Sequence, residues 1–397
     1  MRILVLTAFL PLAGSRHGGA VYLHTLLGGL ARRAEVELLS FATEADAQRS
    51  SDAPAGLTRV TLVPPPFAGS RARGPRSAAT LADRAFRQRL PLAVAKLQSA
   101  RFRRALARRL KDGVPDAVLA EMVTMGSYLA PGPRRGPLRV LTDHEGGDSI
   151  PARLPLGHFG ARIEAANWVR YFKDVYRRAD LVQTLTDSDA RRLLSSHGVA
   201  ARVRPMAIPL PTEVVHPELA PPRLLFLGNF RHHPNVEAAH RLAHTIWPRV
   251  RASQSQAELW IAGANAQSEI TRLEQIEGVR VLGEVDDLFL TMRQCRAMFA
   301  ALWSGGGTRV KAWTALGYGL PVIGNDLGMT GIDAAPPAVA RANDDDGLAA
   351  LAIALLGDPN HAAHAGRSAR EWAATHLGGD RAASIQLDHL RDALEQR

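Results

Sequence analysis

A chain of 397 residues with 46% hydrophobic and 22% charged positions excludes a disordered or fibrous protein and suits two domains, each large enough to bury its own core. The formal charge of +11 and pI near 10.6 favour anionic partners, whether phosphorylated ligands, an acidic membrane surface or nucleic acid. The single cysteine, Cys295, excludes a disulfide framework or a cysteine-rich zinc site and fits a reducing, cytoplasmic compartment.

The first residues, Met1-Arg2 and then apolar Ile3 to Ala13, resemble a short signal peptide. They read better as a buried parallel strand, Ile3 to Leu6, because a loop from Thr7 to His17, the pair Gly18-Gly19 and an amphipathic helix follow. That helix, from about Ala20 to Arg33, should turn Val21, Leu23, Leu26, Leu27 and Leu30 inward and lead to a strand over 36–41. Such a βαβ start implies a parallel sheet with ligands at the carboxyl ends of its strands, although no G-x-G-x-x-G dinucleotide fingerprint is present.

Residues 52–79 are rich in Pro, Gly, Ser and Arg and read as a long connection around a short strand at 59–63. Beyond Pro91, one helical pattern over 92–111 carries Leu92, Ala95, Phe102, Leu106 and Leu110 on one face and a crowd of Arg and Lys on the rest. Such a helix suits either a peripheral contact with an anionic membrane or a solvated basic face. Further strands are expected at 116–120, 139–141 and 181–185, with helices at about 158–177 and 187–196. Between the last two strands lies Asp143-His144-Glu145-Gly146-Gly147-Asp148, just past a strand end. His144 there suits a general base, a ligand-orienting group or a structural histidine, and the spacing matches no metal motif.

Six prolines between Pro205 and Pro222 mark a domain boundary, because neither a helix nor a central strand crosses them. A new series of strands follows, ending in Gly228-Asn229-Phe230-Arg231, in Ala262-Gly263, in Gly283-Glu284-Val285-Asp286 and in Ser304-Gly305-Gly306-Gly307-Thr308. Four glycine-bearing strand ends build one ligand-binding edge. A helix beginning at Thr308 would direct free N–H groups and its positive dipole end at an anion.

The ordered set "FLGNFRHHPNVEAAHRLAHTIWP", "LWIAGA", "VRVLGEVDDL" and "GGGTRVKAWTALGYGLPVIGND" resembles the donor-binding domain of glycosyltransferase family 4, retaining enzymes of the GT-B fold. In the first half, "ADLVQTLTDSDARRLL" and "VRPMAIPL" are similar to that family's approach to its hinge. The resemblance implies an α/β protein of two Rossmann-like doubly wound domains facing across a cleft. It places an acceptor domain over 1–208, a donor domain over 209–379 and a last helix over 380–397 returning to the first domain.

Its implied reaction moves a sugar from a nucleotide-diphosphate sugar to a glycan, lipid-linked or natural-product acceptor. No metal or separate cofactor is expected, and no nucleic acid partner, since the basic residues lack aromatic stacking companions. By the same resemblance, Gly305, Gly306, Gly307 and Thr308 would contact the diphosphate, with Gly18 and Gly19 facing it from the other domain. Gly228 and Gly263 line the same edge. Arg231 and Lys311 would offset charge on the leaving group. Gly283, Val285 and Asp286 would meet the base, and His144 would lie near the transferred sugar, with Glu145 and Asp148 as lesser sugar or acceptor contacts. The family's two glutamates, eight positions apart, fall on Gly306 and Thr314, and a threonine offers ribose one weaker partner than a carboxylate. That departure leaves open a catalytically weakened GT-B protein that binds glycan or partners an active transferase.

Overall fold

The computed structural model describes residues 1–15, 18–67, 75–131, 136–144, 159–304, 310–332 and 336–397. Along the chain run β1 (Arg2–Thr7), α1 (Gly18–Ala31), β2 (Glu35–Phe41), α2 (Glu44–Gln48), β3 (Arg59–Val63), α3 (Pro75–Phe86), α4 (Leu92–Leu97) and α5 (Ala100–Lys111). Then come β4 (Ala117–Glu121), β5 (Leu138–Asp143), α6 (Phe159–Arg178), β6 (Leu181–Thr184), α7 (Asp187–His197) and β7 (Arg202–Val203). The second series is β8 (Arg223–Leu227), α8 (His233–Arg241), α9 (Trp247–Ser253), β9 (Glu258–Ala262), α10 (Ser268–Thr271), β10 (Val279–Gly283), α11 (Leu288–Met292), β11 (Ala297–Phe299), α12 (Val310–Tyr318), β12 (Val322–Gly324) and β13 (Val339–Arg341). Three helices close the chain: α13 (Asp345–Gly357), α14 (Pro359–His376) and α15 (Gly379–Glu395).

Two compact units result, one of Met1–Ala207 with Gly378–Arg397 and one of Ile208–Leu377. The first holds a seven-stranded sheet ordered β3-β2-β1-β4-β5-β6-β7, the second a six-stranded sheet ordered β10-β9-β8-β11-β12-β13. Every pairing in both is parallel. Continuous apolar strands such as Ile3-Leu4-Val5-Leu6 are buried along their whole length, as strands covered by helices on both faces must be. In each sheet the winding direction reverses once, between β1 and β4 in the first and between β8 and β11 in the second. The loops diverge at those two junctions and open a crevice beyond the strand ends.

The inward face of α1 differs from the expected one. Tyr22 joins Leu23, Leu26, Leu27 and Leu30 in the interior, while Val21 is only half-buried. Along the flank that holds Tyr22 and Leu26, α1 meets α15 backbone to backbone. A Cβ at Gly29 would stand 2.2 Å from the Gly379 carbonyl oxygen, and one at Gly379 would stand 2.3 Å from that of Thr25. Glycine at both positions is what lets the two helices approach so closely.

The single basic helix expected over 92–111 is two helices. The chain breaks at Gln98–Ser99, where the Ser99 hydroxyl caps α5 by accepting from the Phe102 amide at 3.3 Å. Its basic residues also divide. Arg109 is bonded to Glu37, and Arg103 reaches the Ser127 carbonyl, whereas Arg101, Arg104 and Arg108 are exposed. After β8 the helical stretch is likewise divided into α8, a π turn over Leu242–Ile246, and α9. Among the described residues no helix is long and apolar enough to cross a membrane.

Candidate functional site

On one side of the β8–β11 junction, the loops after β8, β9 and β10 are fastened edge to edge. The Gly228 amide donates to the Ala262 carbonyl at 2.9 Å, the Phe230 amide to that of Ala264 at 3.0 Å, and the Gly263 amide to that of Gly283 at 2.6 Å. Gly263 has φ +139, and a Cβ there would stand 1.6 Å from the Gly228 carbonyl oxygen. Its glycine identity therefore follows from backbone packing between neighbouring loops. Gly283, with φ +66, has open space where a side chain would be. Beside it Val285 is half-buried and Asp286 exposed.

Asn229 shapes the turn that carries Arg231. Its side-chain oxygen accepts from the Arg231 amide and from Asn265 Nδ2, both at 3.1 Å, and its carbonyl accepts from Asn235 Nδ2 at 2.9 Å. The Arg231 side chain is exposed, with no hydrogen-bond partner among the described residues. Across the junction, Asn325 closes on Leu302 from both sides, accepting from its amide at 3.1 Å and donating to its carbonyl at 2.7 Å. Ser304 then donates to Glu237 Oε2 on α8 at 2.5 Å. Gly305, Gly306, Gly307 and Thr308, the expected diphosphate contacts, lie outside the described residues.

Lys311 stands in the first turn of α12. Burial among protein atoms draws its pKa down to about 8, yet the side chain remains exposed to solvent. A pKa of about 8 leaves the ammonium charged at neutral pH, and its contact with water favours that form further. Thr314, one turn further on, donates its hydroxyl to the Val310 carbonyl at 2.8 Å. Only its lone pairs remain for a ligand.

The β1–β4 junction is built from opposite material. Glu121 ends β4 and has no exposed side-chain surface. Its Oε1 accepts from Arg204 at 2.8 Å and from the Thr142 hydroxyl at 3.3 Å, and its Oε2 lies 2.8 Å from Arg204 and 3.1 Å from His144 Nε2. Arg204 is equally buried, and it also donates to the Tyr22 hydroxyl and to Gln386 on α15. Burial pushes the Glu121 carboxyl upward, but the Arg204 charge, reinforced by donation from His144 and Arg204, holds it down at about 2. Burial also raises the Tyr22 phenol, which stays neutral. The Tyr22 ring meets the His144 ring edge-on at 5.2 Å. Directly after Glu121, Met122 has φ +75, a strained value for a side-chain-bearing residue that costs on the order of 1–3 kcal/mol. Gly18 and Gly19 open α1, both half-buried, and Glu145 and Asp148 lie outside the described residues.

Residues 221–358 match the family model of glycosyl transferases group 1. The matched segment begins just before β8 and contains the whole β8–β11 junction. No curated protein matches the chain by sequence. Solved structures match over essentially the full length at low identity. A sucrose-phosphate synthase from Thermosynechococcus elongatus is 15% identical, with TM-score 0.67 and all of both chains covered. Anabaena HepE, solved with UDP and glucose, is 14% identical, with TM-score 0.63 and coverage of 99% of this chain and 100% of that one. WaaG, a glycosyltransferase of lipopolysaccharide biosynthesis, is 14% identical, with TM-score 0.58 and coverage of 97% and 99%. The fold is that of the GT-B glycosyltransferases, two α/β Rossmann-like domains with parallel sheets.

The matched segment brings Gly228, Arg231, Gly263 and Gly283 onto one strand-end edge, with Lys311 and Thr314 on the helix after β11. His144 belongs to the other sheet, past the end of β5. Sequence reasoning missed Glu237, Asn325 and Asn229 here, and Tyr22, Glu121, Arg204 and Gln386 at the β1–β4 junction. Ser99 carries a local capping signal that the reading of one helix over 92–111 passed over, whereas the partners of Glu121 lie 21 to 83 positions away and leave no local signal.

Proposed function

We propose that the protein is a retaining glycosyltransferase that takes a sugar from a nucleoside-diphosphate donor without a metal ion. The observation that carries this reading is the exposed Arg231, without a side-chain partner among the described residues, on a loop braced by Asn229 at the switch point of the segment that matches the family. Departure of a nucleoside diphosphate concentrates negative charge on the diphosphate, and fixed cations such as Arg231 and Lys311 stabilise it as it develops. Gly283, Val285 and Asp286 offer backbone groups for a base. The UDP bound by Anabaena HepE makes a uridine donor the first to test. His144 is assigned to the transferred sugar, and Gly18, Gly19 and the glycines at 305–307 to the diphosphate.

Glu237 adds a carboxylate to this edge. It lies beside Ser304, at the entrance to the glycine run, where a group that accepts sugar hydroxyls is needed in place of glutamates at 306 and 314. A second reading, a GT-B protein that binds glycan or an active transferase without turnover, is favoured by Thr314, whose hydroxyl hydrogen already serves Val310. Calorimetric titration with nucleoside diphosphates and nucleotide sugars separates the two readings. Micromolar binding followed by anomer-retaining transfer supports the enzyme, and absence of binding at millimolar concentration removes it. The acceptor is a glycan, a lipid-linked sugar or a natural product, and a reducing cytoplasmic compartment suits the donor. Contact with an anionic membrane, if made by the basic region 92–111, falls to Arg101, Arg104 and Arg108, and flotation with anionic vesicles at low salt tests it.

A further inference from the structure

The carboxylate of Glu121 is a costly object to place at a strand end. A fully buried ion pair gains little over apolar side chains of similar volume, so its stabilising value does not explain why it stands here. Its position does suggest a reason, since it adjoins a strained residue at the switch point and its fourth hydrogen-bond direction is taken by a histidine ring. We propose that Glu121, anchored by Arg204, is a positioning residue that fixes His144 in its Nε2–H tautomer, leaving Nδ1 as the lone-pair nitrogen that accepts a hydrogen bond from a sugar hydroxyl.

An ionised carboxylate only accepts hydrogen bonds, so the ring nitrogen 3.1 Å from it must carry the proton. Neutral imidazole holds one N–H, and the other nitrogen is then an acceptor. Arg204 keeps the carboxylate both charged and oriented, because its two terminal nitrogens each reach a different Glu121 oxygen at 2.8 Å. The edge of Tyr22 restricts rotation of the ring. Nδ1 has no hydrogen-bond partner among the described residues. The role of His144 toward a sugar rests on the transferase reading, whereas the tautomer does not.

NMR of protein labelled with 15N at histidine reads the tautomer directly in the absence of any ligand, with the signal assigned by its loss in His144→Gln. Wild type should show Nε2–H. Glu121→Gln should turn the ring toward Nδ1–H, since the amide keeps its oxygen toward Arg204 and presents its N–H to the ring, and transfer should fall by about tenfold or more. Glu121→Asp, which retains the charge, should keep the wild-type tautomer. An Nδ1–H signal in wild type overturns the proposal, as does an unchanged tautomer in Glu121→Gln. If neither variant folds, the wild-type signal decides alone. A wild-type Nε2–H tautomer in a protein that transfers no sugar would sink the transferase reading and leave the positioning intact.

Discussion

At the β1–β4 junction the charged groups are buried and spent on one another, whereas at the β8–β11 junction Arg231 and Lys311 stand in solvent. The strand order about the switch point is the same in both sheets, so topology does not decide what a switch point does. The difference lies in where the counter-charge comes from. Arg204 finds its carboxylate within the fold, and its charge sets the geometry of neighbouring groups. Arg231 has no such partner among the described residues, and on the transferase reading a ligand supplies it.

The sharpest way to break this comparison is to remove one cation from each junction. Arg204→Met leaves Glu121 buried without its partner and should cost roughly 3–5 kcal/mol in denaturant unfolding. Arg231→Ala should leave stability within about 0.5 kcal/mol of wild type. If the two variants unfold alike, the contrast between an internal and an external counter-charge is wrong. Acid should act on the first junction in the same sense. The Glu121 pKa is lowered on folding, so its contribution is complete above about pH 4.5 and drains away as pH falls toward 2. Across that window the loss should approach about 3 kcal/mol, and Glu121→Gln should flatten that part of the stability curve.

Ligand affinity sharpens the other side. Arg231→Ala and Lys311→Ala should each weaken nucleoside-diphosphate binding about tenfold to a hundredfold in calorimetry, the worth of a charge-assisted hydrogen bond. A diphosphate raises the pKa of a lysine it contacts. Affinity should therefore be full below pH 8 and fall as pH rises through the higher value in the complex, a dependence that Lys311→Ala removes. The smallest effect is expected from Thr314→Val. Because the hydroxyl already donates to Val310, affinity should change less than about threefold, and a larger loss would restore Thr314 as a principal nucleotide contact.

Most of the fold could be read from the chain because buried parallel strands write themselves as short apolar runs, such as Leu224-Leu225-Phe226-Leu227. Helix continuity was less legible. Region 92–111 keeps one apolar period across its break, and only the capping chemistry of Ser99 betrays it. The candidate site divides along the same line. Glycines and cations on strand-end loops are local features, whereas Glu121 looks like the polar end of an apolar strand and Arg204 sits in a proline-rich stretch that reads as a linker. Their association is a product of tertiary packing, and no pattern within a dozen residues encodes it.

Gln386 makes the order of synthesis matter. Arg204 bonds both to Glu121 and to Gln386, 182 positions further along, on a helix that packs directly against α1. During translation the first sheet is complete in sequence long before α15 emerges, and until then Arg204 lacks one of its partners and Gly29 faces no neighbouring backbone. The amino-terminal unit is thus the first to be made and the last to be finished. A ribosome-bound chain ending before Gly378 should hold that unit in a looser, more protease-sensitive state than the released protein, with the final twenty residues closing it like a latch.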